Sequence, residues 1–335
     1  MAKCELVVKF GDSETLIYQK GKGIICREPS KVAFSKKGRR VFVEDIGQKA
    51  KSLMGKTDSS IWIESPFSSS AICDLDLAIT YFKALLDKCI EAGSRSNIYA
   101  IFLLNCALTP DEKRAYEILA INCGIKKYSF APSVVADVIG EGLNCDGIEG
   151  KLVVNIGAES TEIALINFSS IVEGYSLELG GNVLDKEIAN FIYREYNVVV
   201  NQNIAEEMKK ELGSLYISDI SNKTFLGYDA LTRESKKNTI FAKDLYPIFC
   251  VFYEKICEGI LIFLNQLTPE FVSDITKGGI LITGGNAQVP GIESFMKSRL
   301  NINVFIPYDM YKNFTTASKK LLEDKALLKK IVNKN

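Results

Sequence analysis

Gly11-Asp12-Ser13-Glu14-Thr15 and Gly157-Ala158-Glu159-Ser160-Thr161 are two copies of one small-residue turn, and each joins one β-branched run to another. The first lies between strand candidates at residues 6–9 and 15–19, the second between candidates at 152–156 and 162–167. Two such hairpins opening two halves of a chain imply a duplicated domain with a cleft between the copies. A third turn, Thr283-Gly284-Gly285-Asn286-Ala287, follows the apolar run 280–282 and precedes a helix candidate starting at Ile292. Junctions of the strand–turn–helix kind present backbone N–H groups that suit an anion or a nucleotide.

Working outward, strand candidates at 41–44, 61–64, 99–104, 171–177 and 304–306 alternate with stretches of helical period. Those stretches are residues 75–92, 110–123, 134–141, 184–196, 204–212, 245–267 and 292–300. Pro110 with Asp111 and Glu112 has the character of a first helical turn, and Gly124 stands where the C′ residue falls. Alternation of this kind indicates an α/β protein with layered sheets. At 335 residues the chain exceeds what one hydrophobic core usually serves. With 47% apolar and 24% charged residues it has the composition of a globular protein.

Lys+Arg and Asp+Glu each number 41, a balance that argues against a nucleic-acid partner. There is no histidine, which removes every Ser-His-Asp, Cys-His and His-ligated metal mechanism. The nine cysteines are widely spaced with no C-x-x-C, so they read as reduced thiols of a cytoplasmic protein. The most lipid-like segment, 245–267, carries Glu254, Lys255 and Glu258 and therefore reads as a buried helix. Ala50-x-x-x-x-Gly55-Lys56-Thr57 formally satisfies a loose phosphate-loop pattern. It sits in and after an amphipathic helix at 46–54 instead of following a strand, so Gly55 reads as the end of that helix.

Several further segments take their places in order along the chain. They are Phe10-Gly11-Asp12 through Glu28-Pro29-Ser30, then Gly47-Gln48-Lys49-Ala50-Lys51, and Val153-Val154-Asn155-Ile156-Gly157. Gly180-Gly181-Asn182 with Asp185, Ala205-Glu206-Glu207-Met208-Lys209 and Leu267-Thr268-Pro269-Glu270 follow. Together these resemble the bacterial actin homologue family MreB, within the actin/Hsp70/sugar-kinase superfamily, over almost the whole chain. The resemblance implies an actin-like, ribonuclease H-like duplicated α/β fold. A first half at 1–150 would carry an insertion near 32–74, with a C-terminal helix at 311–335 packing back on it. A second half at 151–310 would carry an insertion near 184–244. It also implies ATP and Mg²⁺ in the cleft, head-to-tail filaments at the inner membrane face and a part in cell shape. The nucleotide-binding positions it marks are Asp12, Ser13 and Glu14, then Gly157, Ala158 and Glu159. Glu206 and Lys209 would lie on the adenosine side, with Gly284, Gly285, Asn286 and Ala287 in the third turn.

The chemistry departs from the family pattern. Lys9 and Asn155 stand where the resemblance expects aspartates, and Phe130 where it expects the glutamate that serves the attacking water. Glu14 and Glu159 add carboxylates where phosphates would approach. A like-charge contact at about 4 Å costs on the order of 4 kcal/mol at an effective dielectric of about 20. The expectation is therefore weak ATP or ADP binding, no intact catalytic set, no metal-binding set for Mg²⁺ and impaired hydrolysis. Lys9 is expected to pair with Glu159 or Glu14 across the cleft and take over part of the cross-linking that nucleotide supplies. Expected partners are further copies of the chain, a family paralogue, or membrane-associated cell-shape proteins. The polar stretch 91–97 and a terminal helix with a solvated lysine face argue against direct membrane insertion. A working ATPase and a non-polymerising scaffold are the rival readings.

Overall fold

The computed structural model describes residues 4–37, 40–55 and 60–332. Lys56 and Thr57 of the phosphate-loop pattern lie outside them. The chain opens with an antiparallel meander of β1 (Cys4–Phe10), β2 (Glu14–Gln19) and β3 (Gly23–Pro29). It then runs out into a small sheet of β4 (Val32–Lys37), β5 (Arg40–Ile46) and β6 (Ile61–Glu64), with α1 (Gly47–Leu53) packed on it. The helix 47–53 and Gly55, at φ +72°, match the reading that dismissed a phosphate loop. A two-stranded hairpin, β7 (Phe67–Ser68) and β8 (Ala71–Ile72), precedes α2 (Leu75–Cys89). Asp74 caps α2 by accepting from the Leu77 N–H at 2.9 Å. The helix buries Tyr81, Phe82 and Leu85 completely, and burial of each such side chain stabilises by about 1.5–3 kcal/mol.

The chain returns through β9 (Ile98–Leu104), α3 (Pro110–Asn122), β10 (Lys127–Pro132) and α4 (Ser133–Gly140). Thr109 and Glu112 form a capping box that starts α3, and Gly124, at φ +80°, follows its end. The first main sheet has the order β10-β9-β1-β2-β3, with β9 parallel to both of its neighbours.

The second half repeats this plan with β11 (Lys151–Ile156), β12 (Thr161–Asn167) and β13 (Ser170–Leu177) as the meander. α5 (Gly181–Tyr196), β14 (Val198–Val199), α6 (Gln202–Leu212), β15 (Asn222–Asp229) and β16 (Ser235–Phe241) form its smaller lobe. The long α7 (Ala242–Gln266) and α8 (Pro269–Gly278) lead to β17 (Ile280–Thr283), α9 (Ile292–Leu300) and β18 (Val304–Phe305). The order β13-β12-β11-β17-β18 reproduces that of the first sheet, position for position. α7 buries Phe249, Tyr253, Ile256, Ile260 and Phe263, as the charge-interrupted apolar segment led one to expect. Among the described residues no helix is long and apolar enough to cross a membrane.

Each half has its own core, and a third core lies between them. That third core joins Val7 and Ile101 of one sheet to Val153 and Leu281 of the other through α4 and α10 (Met310–Glu323). α10 lies tight on α4 because Gly140 has no side chain; a Cβ there would meet the Asn313 carbonyl oxygen at 2.5 Å. α11 (Lys325–Val332) completes the terminal helical arm, with Ile331 buried and its lysines outward. Strands β3, β4, β10, β15 and β16 and the two-residue strands β7, β8 and β14 lie outside the set expected from sequence. Polar side chains on the exposed faces of β15 and β16 mask the alternation, and β10 is a short run ending in proline.

Candidate functional site

The ends of the central strands and the three small-residue turns converge on a cavity of about 390 Å³ between the halves. The two hairpin turns have one backbone. Gly11 N–H donates to the Glu14 carbonyl at 3.0 Å, and Gly157 N–H donates to the Ser160 carbonyl at 2.9 Å. A Cβ on either glycine would meet that same carbonyl oxygen, at 2.8 and 2.9 Å respectively. The residues closing the turns, Thr15 and Thr161, are both fully buried.

Side chains give the two turns different surroundings. In the first, Asp12 is buried and its Oδ1 accepts from the Ser70 N–H at 2.8 Å. Burial pushes its carboxyl up to about 6, the Ser70 N–H pulls it down, and neighbouring Glu159 adds to the rise. Glu14 accepts from Arg27 Nε at 2.9 Å and from the Tyr311 hydroxyl of α10 at 2.9 Å. Its charge is thus matched by a cation from β3, which reduces the repulsion that sequence alone assigned to it. Ser13 is exposed, and its carbonyl accepts from the Ser30 N–H at 3.0 Å.

In the second turn, Glu159 leaves its own half. Its Oε2 accepts from the Ser68 hydroxyl and, at 3.0 Å, from the Ser69 N–H. Ser69 and Ser70 sit at φ +48° and +64°, the pattern of a two-residue turn that normally uses Asn or Gly. That strained turn aims one N–H at each hairpin's carboxylate. Gly157 and Ala158 carbonyls accept from the Gly181 and Asn182 N–H groups that open α5, at 3.0 and 2.7 Å.

The third turn braces the second. Asn286 Nδ2 donates to the Gly157 carbonyl at 2.7 Å. Gly284, at φ +93°, must be glycine because a Cβ would meet the Ile156 carbonyl oxygen at 2.3 Å. Gly285 lines the cavity, whereas Ala287 is buried beneath it.

At the floor the expected pairing of Lys9 with Glu159 or Glu14 does not occur. Lys9 Nζ lies 3.7 Å from Asp137 Oδ1. β1 ends with Lys9 pointing toward α4, while Glu159 and Glu14 are engaged elsewhere. Asp137 Oδ2 also accepts from Asn155 Nδ2 at 3.0 Å and from Thr283 Oγ1 at 2.9 Å, both in the second half. Glu162 is 4% exposed and crosses in the other direction. It accepts from the Cys106 N–H at 2.6 Å and from the Ser133 hydroxyl at 3.1 Å. Burial raises its carboxyl despite the pull of those donors. Phe130 is away from the cavity, packed at 6.0 Å on Phe102.

At the mouth, Glu206 and Lys209 do not pair with each other. Glu206 bonds Lys51 of α1 at 2.6 Å across the cleft and Lys210 at 2.6 Å on its own helix. Burial alone would raise Glu206, but Lys210 and Lys51 outweigh it and hold the carboxyl down at about 2. Lys209 bonds Asp185 at 2.8 Å and the Gly181 carbonyl at 3.0 Å. Burial lowers the Lys31 ammonium, which faces Glu159 and Asp12.

Sequence reasoning therefore marked the turns and missed their partners: Asp137, Glu162, Lys51 and the 68–70 serines. The visible signal for Asp137 was a lone carboxylate inside the apolar helix run Val134-Val135-Ala136-Asp137-Val138-Ile139. The resemblance implies a divalent metal, and the donor set does not fit one. Asp137 and Glu162 have their oxygens engaged, and Lys9 adds a positive charge beside them. Among the described residues no three acidic or thiol side chains gather into a metal-binding group.

Two halves with one strand order, closed over a floor of turns, define the actin-like fold. MreB5 of Spiroplasma citri, solved bound to ADP, has it at a TM-score of 0.90 and 24% identity, covering 99% of each chain. The MamK double helical filament has it at a TM-score of 0.78 and 18% identity, covering 96% of this chain and 99% of that one. The MreB/Mbl protein family description matches residues 3–330, and the chain belongs to that family. Cell shape-determining protein MreB of Escherichia coli (strain K12) is 27% identical over 310 residues, 91% of this chain and 89% of its own length.

Proposed function

We propose that this chain is a cytoskeletal protein that forms actin-like filaments serving cell shape, and that its own side chains replace much of the nucleotide's bracing. The observation that carries the reading is four carboxylates that bridge the halves: Asp137, Glu162, Glu159 and Glu206. Hydrogen bonds to charged groups contribute about 1.5–3 kcal/mol each, so the set rivals the grip of a weakly bound nucleotide. The division at about residue 150, with α10 and α11 returning to the first half, is part of the same proposal. ATP or ADP would enter the cavity with low affinity, held by turn N–H groups. Hydrolysis would be impaired, because Lys9, Asn155 and Phe130 replace the groups that position metal and water. Partners are further copies of the chain or a family paralogue, and contact with the inner membrane face goes through the filament or through cell-shape proteins.

High-speed pelleting of the full chain, without nucleotide and with Mg-ATP, tests this when phosphate release is followed in the same tubes. Polymer in both conditions without phosphate release is expected. Polymer only with ATP, with turnover, would establish the working ATPase, a reading that the nucleotide bound in MreB5 favours. Absence of polymer throughout would establish the non-polymerising scaffold.

A further inference from the structure

Lys9 and Asn155 occupy the same place in the two sheets, one residue from the end of β1 and one from the end of β11. Lys9 lines the cavity with its side chain 26% exposed. Its 3.7 Å separation from Asp137 is an ion pair but too long for a hydrogen bond. Among the described residues, the Lys9 ammonium makes no hydrogen bond. Its three N–H donors are therefore available to an anion entering the cavity.

The acceptors that a divalent ion would need are already occupied. Asp137 Oδ2 takes two donors from the second half, and its Oδ1 faces Lys9. Both Glu162 oxygens accept bonds from the first half. Asp12 is tied to the Ser70 N–H. A magnesium ion requires about six oxygens at about 2.0–2.1 Å, and it would sit against the Lys9 charge.

We propose that the cleft takes its phosphate-bearing ligand as the metal-free anion, with the Lys9 ammonium filling the place of the divalent cation. The proposal rests on the reading that the cleft is a nucleotide site, and it adds the charge state of the ligand that the site selects. One positive charge replaces two, so the affinity is low. The turn N–H groups and the Lys9 ammonium neutralise the phosphates directly. Chelation of the anion by metal in solution removes charge that Lys9 would otherwise contact, so free metal competes with the site.

The test is calorimetric titration of nucleotide-stripped full-length protein with ADP, in excess Mg²⁺ and in EDTA. The expected dissociation constant in EDTA is about threefold or more below that in Mg²⁺, because excess metal competes for the free anion. Lys9→Met should weaken metal-free binding by about tenfold or more, with folding checked by circular dichroism. Paramagnetic resonance of Mn²⁺ gives a second readout: adding the protein to Mn²⁺ and ADP should create no protein-bound manganese signal. A dissociation constant in EDTA no lower than that in Mg²⁺, a protein-bound manganese signal, or full affinity in folded Lys9→Met would each overturn the proposal. Absence of ADP binding under both conditions would overturn it too. That result would leave the self-braced filament standing, because pelleting without nucleotide tests it separately.

Discussion

The turns at 11–14 and 157–160 share a backbone hydrogen bond, a glycine that no other residue could replace and a buried threonine at the exit. They differ in where their carboxylates go. Asp12 and Glu14 are held by Ser70, Arg27 and Tyr311, groups of the first half and the terminal arm. Glu159 instead crosses to Ser68 and Ser69. A duplicated backbone has thus been given one anchoring copy and one bridging copy. Backbone geometry sets where a turn can sit, and side-chain partners decide whether it ties one half or two.

The largest expected effect tests the floor beneath both turns. Asp137→Ala should cost about 2–4 kcal/mol in urea unfolding, because Lys9 then keeps a partly buried charge without a partner. A loss below about 0.5 kcal/mol would show that the floor does not brace the halves. Glu159→Ala should cost about 1–3 kcal/mol and make sedimentable polymer depend on nucleotide. Unchanged polymer without nucleotide would remove the bridging role from the second turn.

Asp12 sharpens the contrast through pH. Its carboxyl is raised from 3.8 to about 6 in the fold, so the stability linked to its proton is full below 3.8 and is lost as pH rises through about 6. Asp12→Asn should therefore raise stability at pH 7.5 by about 1–2 kcal/mol and flatten the pH dependence between 4 and 6.5. A drop in melting temperature at pH 7.5 would contradict this. Glu206 has the opposite sign: held at about 2, its contribution is present above 4.5 and lost as pH falls through about 2. Lys51→Ala, which leaves Lys210 in place, should cost about 1 kcal/mol at neutral pH because the pair is partly screened by solvent. Thermal melts from pH 2 to 5 should show a shallower acid limb for the variant. Ser13→Ala, in an exposed side chain of the anchoring turn, should stay within about 0.5 kcal/mol.

Much of this frame could be read from residues. Local signals wrote the hairpins, the helix capped at Thr109–Glu112 and the Gly284 turn, since a glycine or a cap acts within a few positions. The duplication followed from the two matching turns, while the strand order within each sheet came from the structure. The wiring could not be read in the same way. The Glu159 partners lie ninety residues away in Phe67-Ser68-Ser69-Ser70-Ala71, where two serines adopt a conformation that glycine or asparagine usually advertises. Lys9 was assigned to the nearest visible carboxylates. Asp137 looked like a helix residue until the packing of α4 between the sheets brought it to the cleft floor.

The most direct test of self-bracing is amide hydrogen exchange across residues 67–72 in nucleotide-free protein. The Ser69 N–H is bonded to Glu159 of the second half only while the halves are closed, whereas the Ser70 N–H is bonded to Asp12 of its own half and serves as an internal reference. Slow exchange that AMPPNP does not slow further is the predicted result, with Glu159→Ala releasing Ser69. Fast exchange at Ser69 without nucleotide, becoming slow on its addition, would contradict a cleft held shut by its own side chains.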